Sequence, residues 1–460
     1  MRSGVIAGCA LLSTLLVVAP VTAAPPGGLR PLPGKAGCIG ERHTGPKSCA
    51  AGRALGDLRA IALDPAGRGV YTAAFQNGIS HVVRGARGRL GVPAGPGGCV
   101  AGRNADDHDG CTVVPDLDDP EGLALSPDGA QLYAGVSNTG AALGFARSGA
   151  GVLAPLPPPG GCVGAPATGP SPTPARCTPL PVLALSKGVA VSAAGRFLYV
   201  AAHDAVVGLA RDPGTGNLNP LPLPGGCVQQ APAPDGCAPG RGLSDPQSLA
   251  LTTDGRFLYA EAGNGVAVFA RDPGTGTLAQ PAGPEGCVQA GGTEGCTAAR
   301  TGTSPFGSNG VVLSPDGRNL YEAFDGGVAA FARDPQSGAL TQLAGTKGCL
   351  TRGGKKGCAR YNGATQAFSL AVSPDGASVY LSGAHNAAAN ALLAFTRSPA
   401  DGSLRQLQGR AGCYLDHTST ARREGCTAVR VAAEGGVVVS GNGRLVYGIT
   451  DEVSVFARHT

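Results

Sequence analysis

Fourteen of the fifteen cysteines fall into seven close pairs that recur about every sixty residues. The pairs are Cys38/Cys49, Cys99/Cys111, Cys162/Cys177, Cys227/Cys237, Cys287/Cys296, Cys349/Cys358 and Cys413/Cys426. Gly nearly always introduces the first member (Gly98, Gly226, Gly286) and usually the second (Gly110, Gly236, Gly295, Gly357, Gly425). A period of this size marks a repeat architecture, one object built seven times over.

The remaining cysteine, Cys9, stands in an N-terminal stretch that reads as a signal peptide. Met1-Arg2 gives a positive start, Val5 to Val18 is apolar, and Val21-Thr22-Ala23 is a small-residue cleavage site. Residues 1–23 are therefore expected to be removed, leaving 24–460 as one domain. Ile6-Ala7-Gly8-Cys9 has the outline of a lipoprotein box, but most of the apolar run follows this cysteine, where processing requires it before. In an oxidising compartment an even, regular cysteine set reads as a disulfide framework. Zinc is the disfavoured alternative, since gaps of nine to fifteen residues do not form zinc knuckles and no histidines recur at fixed offsets.

Beyond the leader no apolar stretch is long enough to span a membrane. The net charge of +5 is spread through a chain with 15% charged residues and no basic block, which argues against nucleic acid. Arg outnumbers Lys and Ala and Gly abound, as in GC-rich bacterial coding. A secreted or cell-envelope monomer is expected.

The fifth unit shows the pattern. Gly310–Gly317, Arg318–Ala323 and Gly327–Arg333 are followed by Asp334–Leu340 and then the cysteine loop. Each apolar piece holds four to seven residues, too few for a helix, and is bounded by Pro-Asp-Gly, a Gly/Asn/Asp cluster or Asp-Pro-x-x-Gly. Four short antiparallel strands, A to D from the channel outwards, make one blade of a propeller. Seven copies of strand A and its turn (from Ala60, Gly122, Gly188, Ser248, Gly310, Ser369 and Gly436) predict an all-β, seven-bladed β-propeller with one disulfide-closed loop per blade. The last unit stops after strand C, and Leu29–Pro33 matches a strand D. An N-terminal strand is thus expected to complete the C-terminal blade and close the ring.

Val191–Val200, Val266–Leu278 and Ser314–Tyr321 carry a resemblance to the YVTN/lactonase-type seven-bladed propellers, which include 6-phosphogluconolactonase-like and carboxymuconate cyclase-like proteins. The resemblance spans all seven units. It implies the fold, and an activity on lactones or cyclic acids as one possibility. Two departures stand out: Tyr199-Val200-Ala201 continues with Ala202 where the family has Asn, and every blade carries an added cysteine loop. No family catalytic residue transfers position by position.

Turns A–B and C–D should share one face, and turns B–C and the D–A connections with their disulfides the other. Binding concentrates on variable loops of a rigid scaffold. The residue just before strand A should approach the channel mouth on that second face: Arg59, Glu121, Lys187, Gln247, Asn309, Phe368 and Gly435. Arg59, Glu121, Lys187, Gln247 and Asn309 are the candidate ligand-binding set. Turns B–C add Asn77, Asn138, His203, Asp204, Glu261, Asn264, Glu322, Asp325, His385, Asp451 and Glu452. A water-filled channel would need a polar lining whether or not it binds anything. Asp107, Asp109 and Asp116 loosely follow a calcium-loop spacing, with Ala105 at the first ligand position, so calcium is a weak expectation and no other cofactor is implied. The seven arginines that end strand C (Arg84, Arg147, Arg211, Arg271, Arg333, Arg397, Arg458) read as structural, pairing with turn carboxylates or carbonyls.

Two functions fit. The favoured one is a binding or scaffold protein whose disulfide-loop face engages an extracellular ligand, a glycan or a protein. The absence of Trp weakens a sugar-stacking platform. The alternative is a lactone hydrolase or cycloisomerase at the channel mouth. Arg59 or Lys187 would hold an anion there, and Glu121, His203 or His385 would act as general acid or base.

Overall fold

The computed structural model describes residues 25–75, 78–85, 87–103, 110–166, 177–302, 310–386, 389–416, 418–430 and 435–460. The expected leader, Asn77, Asp107, Asp109 and Asn309 lie outside this set. Among the described residues there are seven sheets of six strands each. In blade 5, strand A (Val311–Leu313) pairs antiparallel with B (Asn319–Phe324), and B with C (Gly327–Arg333). The order from the channel outwards is as expected.

The outer part of each blade is more elaborate than a single strand D. In blade 5 that strand comes in two pieces, Leu340–Gln342 and Cys349–Arg352, both paired to strand C and separated by a 3-10 turn, Gly345–Gly348. A further strand, Ala359–Tyr361, then runs parallel to the cysteine-bearing piece. The break explains why Gly precedes the first cysteine. A Cβ on Gly348 would sit 2.1 Å from the Leu343 carbonyl oxygen, and one on Gly412 1.9 Å from that of Leu407. Gly before the second cysteine has another cause, a left-handed φ (+73° at Gly357, +80° at Gly236) that bends the chain back to the disulfide.

All seven bridges form with the expected partners: Cys38–Cys49, Cys99–Cys111, Cys162–Cys177, Cys227–Cys237, Cys287–Cys296, Cys349–Cys358 and Cys413–Cys426. Their Cα separations lie between 4.8 and 5.0 Å, and all fourteen cysteines are buried. The sequence reading placed them in a plain D–A connection, and here the structure corrects it. Each first cysteine opens a strand. Cys49, Cys111, Cys177, Cys237, Cys296, Cys358 and Cys426 each stand immediately before the outermost strand of a blade, which begins at Ala50, Thr112, Thr178, Ala238, Thr297, Ala359 and Thr427. Every bridge therefore clamps the starts of two parallel strands. A tight hairpin cannot join parallel neighbours, so the chain must loop back, and the disulfide closes that loop. Cys349 lies opposite Ala329, near the start of strand C, so the loops rise on the face of turns B–C.

The ring closes as the sequence implies. Leu29–Pro31 pairs with Arg458–Phe456, and Cys38–Gly40 with Ser454–Glu452, giving the last blade its outer strand from the N-terminal segment.

Neighbouring blades are joined by a repeated polar rivet. Arg397 at the end of strand C donates from Nε to the Tyr321 hydroxyl of the preceding blade (2.9 Å) and from Nη2 to Asp316 in that blade's A–B turn (2.7 Å). The Tyr321 hydroxyl in turn donates to the Gly402 carbonyl (2.6 Å). Arg147, Arg211, Arg271, Arg333 and Arg458 reach Tyr71, Tyr133, Tyr199, Tyr259 and Tyr380 in the same way. The arginines are structural, with a tyrosine as their main partner. At the seam the Tyr380 hydroxyl donates to the Gly27 carbonyl (2.8 Å), so Gly27 takes the place that a C–D turn fills elsewhere. Around these rivets, Tyr and Phe side chains such as Tyr321, Phe331 and Phe395 are fully buried between blades. Burying a ring of this size favours folding by about 1.5–3 kcal/mol.

Candidate functional site

Strand A begins with a β-bulge in four blades. The register shifts between Leu58 and Ala60, Pro120 and Gly122, Pro246 and Ser248, and Ala367 and Ser369. Arg59, Glu121, Gln247 and Phe368 are therefore the residues left out of the pairing, and such bulges re-aim a side chain. Two positions earlier, Asp57, Asp119 and Asp245 adopt left-handed φ values of 50°, 62° and 51°. Asp tolerates that region better than most residues because its short side chain bonds locally. The Asp-x-bulge spacing was present in the sequence (Asp57-Leu58-Arg59, Asp119-Pro120-Glu121, Asp245-Pro246-Gln247), but only the backbone shows why it matters.

These bulge segments meet across blades. Gly188 N donates to the Gln247 carbonyl of the next blade (3.1 Å). A Cβ on Gly122 would lie 2.3 Å from the Lys187 carbonyl. The side chains interlock too. Lys187 Nζ sits 2.7 Å from Asp245 Oδ1, and Gln247 Nε2 donates to Asp245 Oδ2 at 2.6 Å. Arg59 pairs with Asp57 at 3.1 Å and lies over the Phe75 ring.

Between these two ion pairs stands a carboxyl pair. Burial, then the nearby Glu121 charge, pushes Asp119 up to about 7, and the two carboxyls share a hydrogen bond. Burial also raises Glu121, while Lys187 and Arg59 pull it back. Such a pair holds a proton near neutral pH between two cations, an arrangement able to pass a proton or to donate a hydrogen bond to a ligand oxygen.

Of the expected site residues, the structure thus brings Arg59, Glu121, Lys187 and Gln247 into one electrostatic neighbourhood. Asp119 and Asp245 belong to it and were not singled out. Others fall elsewhere. Phe368 is buried in the core at 2% exposure, and Gly435 offers only its backbone, donating to the Ile449 carbonyl (2.9 Å). His385 is buried in blade 6, where its Nδ1 meets the Gly363 carbonyl and its Nε2 lies 4.0 Å from Glu424. His203 is exposed and meets the site only through its backbone, its carbonyl accepting from Asp245 N (3.1 Å). Asp116 accepts from the Thr139 hydroxyl through its carbonyl (3.1 Å). Glu261 and Glu322 were expected on B–C turns. Both instead lie within strand B, 1% and 0% exposed, and burial raises both carboxyls, Glu322 to about 8.

The channel beyond the mouth is mostly aliphatic, with Thr252, Thr253 and Ser314 at the A–B turns. Leu63, Leu251, Leu313, Val372 and Val439 of strand A line a cavity of about 410 Å³ towards the A–B turns.

No family model and no curated protein matches this chain. Solved structures do. A putative 6-phosphogluconolactonase from Bacteroides fragilis NCTC 9343 matches at 18% identity and TM-score 0.51, over 76% of this chain and 82% of that one. A protein from Lactobacillus plantarum matches at 17% identity and TM-score 0.50, over 76% and 83%. They share the fold. At such identities nothing more follows for the site, and the disulfides remain the clearest statement about environment, since seven of them call for oxidising surroundings. No described helix is long and apolar enough to cross a membrane.

Proposed function

We propose that this is an exported propeller that binds a small polar ligand at the channel mouth of its disulfide-loop face. The observation that carries the reading is the meeting, across three interfaces, of Arg59, the Asp119–Glu121 carboxyl pair, Lys187 and Asp245 above an aliphatic channel. Four blades contribute to it with different groups, so the site is asymmetric on a sevenfold scaffold, as recognition of an asymmetric molecule requires. The stapled loops hold that arrangement in advance, which lowers the ordering cost of binding.

A second reading is favoured by one specific feature, the neighbouring Asp119 and Glu121 carboxyls, both raised by burial. With Arg59 or Lys187 polarising a carbonyl oxygen, that pair would open a lactone or a cyclic acid by proton transfer. The name of one structural neighbour, the putative 6-phosphogluconolactonase from Bacteroides fragilis, points the same way.

The test is a thermal-shift and calorimetric screen of the oxidised protein against sugar lactones, hydroxy acids and glycan fragments, repeated with Glu121→Gln and Lys187→Ala. Binding that both substitutions abolish, with the ligand recovered unchanged, supports the first reading. Turnover lost in Glu121→Gln supports the second. Equal binding by wild type and both variants would take the ligand away from the mouth and sink both.

A further inference from the structure

Glu261 and Glu322 form a second carboxyl constellation, which adjoins the mouth at Lys187 and Asp245. Successive side chains of a strand point to opposite sides. On strand B of blade 4, Glu261 shares its side with Tyr259, whose hydroxyl donates to the Gly338 carbonyl of blade 5 at 2.8 Å. Glu261 therefore faces blade 5. On strand B of blade 5, Glu322 lies on the side opposite Tyr321, whose hydroxyl reaches Gly402 of blade 6. Glu322 therefore faces back towards blade 4. The two carboxyls enter the same interface from its two walls.

Both residues adjoin one stretch of backbone. A Cβ on Gly310 would lie 2.9 Å from Glu261 Oε2, and the next residue, Val311, is the cross-strand partner of Glu322. Glu322 Oε2 accepts from the Thr301 hydroxyl at 2.5 Å. Glu261 Oε2 and Glu322 Oε1 are buried without a hydrogen-bond partner among the described residues. Lys187, whose ammonium is bonded to Asp245, offsets this only in part, since burial still leaves the Glu261 carboxyl well above its ordinary range. The corresponding positions in the other blades are Ala73, Gly135, Ala201, Ala323, Ser382 and Ile449 for Glu261, and Thr72, Ala134, Val200, Ala260, Leu381 and Gly448 for Glu322. Two acids have thus been placed against each other at positions where the repeat otherwise needs no charge. Burying two unpaired carboxyls is expensive, and they persist in proteins when they are paired or coordinate a metal.

We propose that Glu261 and Glu322 hold a divalent hard cation, calcium, between blades 4 and 5. The two carboxylates match its charge. The Thr301 hydroxyl, backbone carbonyls and water supply the further oxygens, since among the described residues no three His, Cys, Asp or Glu side chains gather as ligands. Calcium accepts about six to eight oxygens in irregular geometry, which a site shared by two strands can offer, whereas magnesium demands a regular octahedron. Bound there, the ion ties two blades together beside the Lys187–Asp245 pair of the mouth.

The test strips the full, oxidised protein with EDTA and follows melting with calcium, with magnesium and with sodium at matched ionic strength. Calcium at about a hundredfold over its dissociation constant should raise the melting temperature by about 3 °C. Glu261→Gln and Glu322→Gln should lose that rise. In EDTA each should melt at or above the wild type, because a neutral amide replaces a buried acid left without its ion. No calcium response in the wild type, an equal response in either variant, or variants that melt lower in EDTA as well would overturn the proposal. Where a Gln variant does not fold, Thr301→Val keeps both carboxyls and removes one oxygen. Its calcium titration should weaken, and an unchanged titration would overturn the site.

Discussion

Asp119 shows how a single side chain inherits its properties from backbone geometry. It adopts a left-handed φ two residues before the bulged Glu121, and the neighbouring Pro120 is itself buried. The result is an acid held protonated up to about pH 7 against an ordinary value of 3.8. A raised folded-state pKa means that the native state binds the proton more tightly than the unfolded chain. The associated stability is complete below about pH 4 and is lost as the pH rises through about 7. Melting temperature measured from pH 4 to 8 should therefore fall more steeply in the wild type than in Asp119→Asn, which cannot ionise. Parallel profiles would show that Asp119 does not hold this proton. Glu121 was visible in the sequence because it precedes a strand with a recognisable turn. Asp119 and Asp245 stayed obscure, because an acid next to Pro in a polar loop looks like any solvated turn residue until its φ is known.

At the scale of the elements, the Arg–Tyr rivet explains how flat sheets of small residues hold together in a ring. Arg211, Arg271, Arg333, Arg397 and Arg458 are buried and span two blades, with a Tyr hydroxyl and a turn carbonyl as fixed partners and, in several joints, a turn carboxylate. Removing the side chain strands the buried Tyr and carbonyl groups. Arg397→Met should cost about 2–4 kcal/mol in denaturant unfolding, and Tyr321→Phe, which deletes one hydroxyl from the chain of bonds, about 1–2 kcal/mol. Arg84 is the informative contrast. Asn442 stands where four blades have a turn aspartate (Asp128, Asp254, Asp316, Asp375), and the Arg84 guanidinium makes a long bond to the Ala36 carbonyl (3.4 Å). Arg84→Met should cost less than about 1 kcal/mol, and equal losses at Arg84 and Arg397 would show that packing, rather than the rivet, carries the joint. The repetition of these arginines was legible in the sequence, as was their structural role. Their tyrosine partners were not, since the pairing runs between blades far apart in the chain (Arg397 with Tyr321, 76 residues). The broken outer strand was equally hidden. Its cue, the Gly before each first cysteine, reads as a turn signal, and only the close approach of the Leu343 carbonyl to Gly348 reveals it as a packing requirement. The cysteine pairing itself could be read from spacing, yet the short parallel strands that start after Cys49, Cys111, Cys177, Cys237, Cys296 and Cys426 could not, being only two or three residues long.

For the whole molecule the question is what turns seven weak sheets into one cooperative ring. Each disulfide closes a loop of nine to fifteen residues and stabilises it by roughly 2.5–3 kcal/mol through the unfolded state. Six of the bridges, however, join cysteines of a single unit within one blade, and Cys38–Cys49 joins two strands that the N-terminal segment lends to the last one. None links two blades. Closure rests instead on that N-terminal segment. Gly27 N donates to the His459 carbonyl (2.7 Å) and His459 N to the Gly28 carbonyl (2.9 Å), Leu29–Pro31 continues the pairing with strand C of blade 7, and Gly27 receives the Tyr380 hydroxyl. Deleting residues through Pro33 would leave that strand C with an unpaired edge over Phe456 and Arg458 and would open the last joint. Two comparisons separate the contributions. Replacing Cys349 and Cys358 by Ser should lower the melting temperature by a few degrees while one sharp transition remains, because blade 5 keeps both neighbours. The N-terminal deletion should broaden the transition and expose an associating edge, seen as multimers in light scattering, although it removes no disulfide. If the deletion melts as one sharp monomeric transition at the wild-type temperature, the seam contributes nothing, and cooperativity must come from the six continuous joints alone.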